Sequence, residues 1–175
     1  MGVHSRDTGE APIEIVEHDP EWPRMFVSER ELLKAALAPW LVAAIEHIGS
    51  TAVPGLAAKP VIDIMAPVAS LEASRGAIEA LRALDYHYAS YRPGVMHWFC
   101  KPGPSLRTHH LHLVPYRSDL WDERIAFRER LRFDPALAVE YAALKRELAR
   151  QHRGDREAYT EAKDPFIAAV RMGQR

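Results

Sequence analysis

Four of the nine histidines in this chain fall between His97 and His112. Imidazole titrates near neutrality and is a common metal ligand, so this cluster is the first candidate for chemistry. Across 108–114, Thr108, His110, His112 and Val114 alternate with His109, Leu111 and Leu113. An extended backbone then sets His110 and His112 side by side on one face, about 7 Å apart along the strand. Such a pair can hold a phosphate, act as acid and base, or ligate a metal. Its structural alternative is a hydrogen-bonded pair of core histidines.

A second candidate is Asp63, within the apolar run Val61-Ile62-Asp63-Ile64-Met65. A carboxylate in such a run is costly to bury unless something pairs with it. Alternation puts Asp63 on one face with Val61 and Met65, and Ile62 and Ile64 on the other. The third is the turn Gly49-Ser50-Thr51, twelve residues before Asp63. Backbone N–H groups and a hydroxyl in such a turn can cradle a phosphate. Lys59, ahead of Pro60, adds a cation. Taken singly, each has an ordinary reading: a common turn composition, a structural acid paired with an arginine, a solvated lysine. Their joint spacing favours a site.

The elements that must position these residues form a mixed pattern. Alternation at 13–17 predicts a short strand. Asp19-Pro20 predicts a cap and first helical residue, followed by a helix carrying Trp22, Met25, Phe26, Leu32, Leu33, Ala36 and Leu37 and stopping at Pro39. Strands are expected at 42–48, 61–66, 95–101 and 108–114, and an amphipathic helix at 70–84. The last third reads as helical: 121–132, then a helix started by Asp134-Pro135 with Leu137, Tyr141, Leu144 and Leu148 in one stripe, then a helix from about Asp155 interrupted at Asp164-Pro165. The expected class is α+β (α/β), a mixed β-sheet flanked by helices with a helical C-terminal part. Residues 1–12 read as a loose leader and 13–175 as a single domain.

Composition narrows the function. Lys and Arg total 23 against 24 Asp and Glu, a formal net charge of −1. That argues against the broad basic surface of a nucleic-acid binder, so no nucleic-acid template is expected. A single cysteine, Cys100, leaves no internal disulfide and no cysteine-based zinc site. No apolar run approaches the roughly 20 residues of a membrane span, so no membrane partner and a cytoplasmic location are expected.

The segment IGSTAVPGLAAKPVIDI, residues 48–64, resembles the GrpB family, whose fold belongs to the polymerase-β-like nucleotidyltransferase superfamily. The resemblance continues through HLHLV (110–114) and YTEAKDPFI (159–167) and covers about 13–172. It implies a nucleotidyltransferase-like fold in which the strand carrying His110 and His112 lies beside the one carrying Asp63. It also implies a nucleotide-dependent transferase acting on a small molecule. Gly49, Ser50 and Thr51 would hold phosphate, Lys59 and Lys163 would offset its charge, and Asp63 would hold Mg2+. His110 and His112 would position or deprotonate an acceptor. The superfamily pattern has a second acid where this chain has Met65, which puts two-metal catalysis in doubt. Two alternatives stand beside the transferase. One is a non-catalytic module for a nucleotide, a coenzyme A-related ligand or another phosphorylated small molecule. The other is a metal-dependent enzyme in which Asp63, His110 and His112 bind a transition metal. Arg107, Lys145 and Lys163 are the further basic candidates. Lys145 lies beside the Tyr141–Leu144–Leu148 stripe, so its stem is expected to pack even if its ammonium is free. His97 is a possible addition from the neighbouring strand. His47 and His109 have no assigned role, and His4, His18, His87 and His152 read as incidental.

Overall fold

The structure is a computed structural model that describes residues 12–174. The leader reading therefore falls almost wholly outside the described residues.

Among the described residues five strands form one sheet in the order β1-β2-β5-β4-β3. They are β1 (Glu46–Ile48), β2 (Ile62–Val68), β3 (His87–Ala89), β4 (His97–Pro102) and β5 (Arg107–Pro115). β2 and β5 run parallel, and the other neighbours are antiparallel. The sheet is mixed and the fold α+β, as the patterning predicts.

Alternation along the strands sorts the side chains to two faces. Ile62, Ile64, Ala66 and Val68 of β2, Phe99 of β4, and Leu111 and Leu113 of β5 face α1 (Trp22–Leu37). There they pack on Trp22, Phe26, Leu33 and Leu37. On the opposite face Ile48, Met65 and Val114 pack with Met96 and with Leu120 and Trp121 of α3 (Asp119–Phe133). The helical C-terminal part then builds a second cluster. Val53, Leu56 and Ala57, from the loop after β1, lie against Leu131, against Leu137, Tyr141 and Ala142 of α4 (Pro135–Gln151), and against Phe166 and Val170. That cluster fastens the 49–61 loop to the helices, which matters for the site.

Capping explains the sharp helix boundaries. The side chains of Ser118, Asp134 and Asp155 accept the backbone N–H groups of Trp121, Leu137 and Ala158, starting α3, α4 and α5 (Arg156–Glu161). Asp164-Pro165 opens a separate α6 (Asp164–Arg171), as the interruption predicts. At α1 the capping expectation is displaced by two residues. Asp19 accepts the N–H of Glu21 at 2.8 Å, Glu21 occupies the cap position without a side-chain bond, and Pro23 lies in the first turn.

Other expectations are corrected. The strand at 13–17 reduces to one bridge, Val16 with Ala58, because no neighbouring strand is there to extend it. The strand at 42–48 is confined to Glu46–Ile48, with Leu41 making only an isolated bridge to Val68. The helix at 70–84 is broken into turns, α2 (Ala77–Ala80) and a 3-10 turn at Leu81–Leu84. Here serine side chains compete for the backbone: Ser70 Oγ accepts the N–H of Ala73, and Ser74 Oγ donates to the Ser70 carbonyl at 2.8 Å. Strand β3 was not expected. It has three exposed residues and no buried face to leave an alternating pattern.

Candidate functional site

The site is built on the sheet face that carries Met65. The parallel register pairs Asp63 with His110 and Met65 with His112, and β4 brings Trp98 opposite His112. Partners in register share a face, so the carboxylate, both imidazoles and the indole crowd one surface. His110 Nδ1 lies 3.0 Å from Asp63 Oδ1. His112 Nε2 lies 3.8 Å from the same oxygen, an electrostatic contact rather than a hydrogen bond.

The charge states follow from this packing. Burial alone would push the Asp63 carboxyl up, but the bond from His110 and the proximity of His112 outweigh it and hold Asp63 well below the usual carboxylate range. Burial lowers both histidines, against the opposing pull of Asp63; His112 falls to about 4. Near neutral pH the arrangement is therefore a carboxylate and two neutral rings. His110 donates through Nδ1–H to Asp63, which leaves its Nε2 lone pair as the basic position. That atom and His112 Nε2 are both buried and without a hydrogen-bond partner. His112 directs its Nδ1 to the Met96 sulfur at 3.3 Å. Trp98 covers the pair, its ring centroid 5.1 Å from that of His110, with the Arg107 guanidinium 5.3 Å from the indole centroid.

Above the carboxylate lies the turn. β1 ends at Ile48, and Gly49 turns the chain with φ 71° and ψ −173°, a conformation open essentially to glycine. A Cβ at this position would stand 2.5 Å from Asp63 Oδ2. The missing side chain is what lets the turn close over the acid. Ser50 then begins a 3-10 turn, Ser50–Ala52. Arginines of α3 hold the segment from outside: Arg128 reaches Glu46 Oε2 at 2.8 Å and the His47 carbonyl at 2.7 Å, and Arg132 donates twice to the Ala52 carbonyl.

Thr51 is turned into the core. Its hydroxyl is 3.0 Å from His47 Nε2 and donates to the Val61 carbonyl at 3.3 Å, while His47 stacks on Phe26. Thr51 thus supports the turn from beneath, and its hydroxyl does not face Asp63. His97 lies on the α1 face, bonded to the Leu71 carbonyl at 2.8 Å, because its register partner is Leu113 rather than a site histidine. It does not join the site. His109 is on that same face, beside Thr108.

The charge of Asp63 acts on three lysines, Lys59, Lys145 and Lys163. Burial lowers Lys59 and Lys163 to about 8 and Lys145 to about 7, and Asp63 opposes the shift in each. Lys163 lies over the Tyr159 ring at 4.4 Å. Lys145 is the residue sequence reasoning undervalued. Its ammonium is not free: Nζ is 2.8 Å from Ser50 Oγ, 2.5 Å from the Ala57 carbonyl and 4.8 Å from the Tyr141 centroid. The available signal was its place four residues after Tyr141, on the apolar stripe of α4, where a cation needs buried partners.

The donor set bears on a metal. Among the described residues, no three His, Cys, Asp or Glu side chains converge in a geometry that could hold one. Met65 is fully buried among Ile48, Val114 and Leu120 and offers no oxygen. With Asp63 as the carboxylate at this position, a hard cation would draw most of its oxygen ligands from a bound phosphate and water. Two surface grooves, of about 390 Å³ beside Pro54–Ala57 and α4 and about 470 Å³ beside Tyr86–Tyr88, include neither Asp63 nor the imidazoles. Among the described residues, no helix is long and apolar enough to cross a membrane.

Comparison with known proteins places this geometry in context. A sequence-family model described as GrpB protein matches residues 12–172. A UPF0157 protein of Pseudomonas aeruginosa is 40% identical, the alignment covering 90% of this chain and 66% of that protein. A dephospho-CoA kinase of Mycolicibacterium paratuberculosis is 30% identical over 94% of this chain and 46% of its own length. The chain therefore spans only part of these relatives. The crystal structure of the conserved protein GrpB from Enterococcus faecalis superposes with a TM-score of 0.80 at 34% identity, covering 90% of this chain and 94% of that one.

Proposed function

The chain belongs to the GrpB family, and on that footing we propose that it binds a phosphorylated small molecule, a nucleotide foremost, beside Asp63 and transfers a phosphate-bearing group to a small acceptor. The observation that carries this reading is the charge arrangement. Lys59 and Lys163 both feel the carboxylate of Asp63, so the site holds more cationic groups than that one acid can neutralise. A site with that surplus beneath a Gly-Ser turn favours an anion. The likeness to a dephospho-CoA kinase supports a phosphorylated ligand.

In this reading Gly49 and Ser50 hold phosphate, and Thr51 keeps the turn in place. Lys59 and Lys163 offset phosphate charge. Asp63 is the carboxylate that a magnesium ion accompanying the phosphates would meet, and such an ion would neutralise charge on the transferred group. His110, oriented by Asp63 through Nδ1, accepts the acceptor's proton at Nε2. His112 keeps the neighbouring wall of the site uncharged near neutral pH.

Titration calorimetry with ATP, GTP, CTP and UTP, each with magnesium, tests the proposal. Saturable binding of at least one, weakened at least tenfold by Asp63→Asn, is the expected result. Heat from none of the four, or binding unchanged in that variant, would reject it. The burial of Met65 where a second acid would stand favours a second reading, a binding module without turnover. Binding with no product on prolonged incubation with candidate acceptors is what that reading expects.

A further inference from the structure

We infer that Ser50 is a nucleophile and Lys145 the base that deprotonates it, a dyad that takes a phosphoryl group from an anionic phosphoanhydride. This goes beyond the nucleotide-binding reading, in which Ser50 only holds phosphate, and adds Lys145 as a base. Ser50 follows the positive-φ Gly49 at the junction of β1 with a 3-10 turn. A sharp strand-to-helix turn of this kind projects a hydroxyl outward from the sheet. Ser50 is only partly buried, whereas Lys145 is 2% exposed, so a substrate can reach the hydroxyl while the amine stays shielded behind it.

A neutral amine can make every one of the contacts of Nζ. Such an amine has two N–H donors and one lone pair. The Ala57 carbonyl at 2.5 Å and the Tyr141 ring take the two donors. Nζ donates to Ser50 Oγ at 2.8 Å, and once the amine is neutral its lone pair is within reach of the hydroxyl proton. Among the described residues no carboxylate is in contact with Nζ. Of the charged groups around it, Lys163 and Arg146 press Lys145 toward neutrality and Asp63 acts the other way, with burial the largest influence. A lysine made neutral by burial is a recognised way to activate an adjacent hydroxyl.

The step balances without a further reactant. Ser50 Oγ attacks phosphorus and the Oγ–P bond forms. The P–O bond to the departing phosphate breaks, and its electron pair leaves with that phosphate. The hydroxyl proton passes to Lys145 Nζ, giving the ammonium, while Lys59 and Lys163 compensate the charge on the leaving group.

A fluorophosphonate probe tests the dyad directly, since it forms the same Oγ–P bond with fluoride as the leaving group. The full chain is labelled between pH 6 and 8 and the adduct located by peptide mass spectrometry. Labelling at Ser50 is expected, rising about tenfold across that range as a base of pKa about 7 deprotonates. Lys145→Met should slow labelling by about 100-fold or more, the lower end of general-base effects. Lys145→Arg, which keeps a cation but cannot act as base, should be equally slow. No adduct on Ser50, or a rate in the unaltered chain that is flat across this range, overturns the proposal. Equal labelling in a variant whose circular dichroism is native also overturns it. The pH profile needs no variant, so misfolding of Lys145→Met leaves the test decisive. Failure of nucleotides to bind would remove the reading of the previous subsection and leave Ser50 labelling unaffected.

Discussion

Gly49 and Asp63 are in such close approach that a single methyl group on the glycine would stand 2.5 Å from the carboxylate oxygen Oδ2. The turn and the acid are thus one unit, although twelve residues separate Ser50 from Asp63 in the chain. Gly49→Ala must both enter a backbone region that L-residues avoid and displace the carboxylate from His110. It is expected to destabilise the fold by about 2 kcal/mol in urea unfolding. Unchanged stability would show that the turn relaxes freely.

Asp63 raises the proton affinity of every lysine around it. Asp63→Asn keeps a hydrogen-bond acceptor for His110 Nδ1–H but removes the charge. The titration midpoints of Lys145 and Lys163 should then drop below about 7 and about 8 respectively. Lysine-selective NMR titration of the two proteins measures this. Identical midpoints would mean that the ammonium groups are screened from the acid.

Acid should weaken the fold through its buried rings. Burial, the largest cause for both, holds His47 and His112 at about 4, against 6.5 for an ordinary histidine. Between those values the unfolded chain binds protons that the folded chain does not, so stability rises with pH and is lost as pH falls from 6.5 to 4. Each ring contributes at most about 3 kcal/mol over that window. The lowered affinities of His109 and His110 act in the same direction. The shift of Asp63 lies below 3.8 and adds its own loss only under stronger acid. His112→Leu should lower the slope of unfolding free energy against pH by about 1.4 kcal/mol per unit in mid-window. A slope equal to that of the parent would contradict the buried, neutral state of the ring.

Arg128 closes the outer side of the turn. Its guanidinium, with a side chain 10% exposed, joins Glu46 and the His47 carbonyl. Arg128→Ala leaves that carbonyl without its charged donor and should cost about 2 kcal/mol in thermal or urea unfolding. It should also loosen the 49–61 segment, seen as faster amide exchange at Ser50 and Ala52. A variant with native stability and exchange would remove Arg128 from the positioning machinery.

Much of the architecture was legible because its causes are local. Asp134-Pro135, Asp155 and Asp164-Pro165 announce their helices through caps and proline geometry that need no distant partner. The strands of Asp63 and of His110 were legible from alternation, which also decided that Met65 accompanies Asp63 and that His112 accompanies His110. Where side-chain contacts, local or distant, override the apolar periodicity, the reading failed. The 70–84 periodicity is helical, yet serine-to-backbone bonds break it, and Trp40 packs where a Cβ on Gly76 would meet it at 3.0 Å.

By itself, then, the sequence determined which residue types share a strand face and where helices begin, since both depend on neighbours within a few residues. It also carried the family resemblance that set Asp63 beside the His-x-His strand. Tertiary structure alone decided the register that matches Asp63 to His110 and turns His97 to the opposite face. It likewise decided that Lys145, ninety-five positions beyond Ser50, is the lysine that touches its hydroxyl. Strand register and helix docking are set by the summed burial of many side chains, and no single segment of the chain encodes that sum.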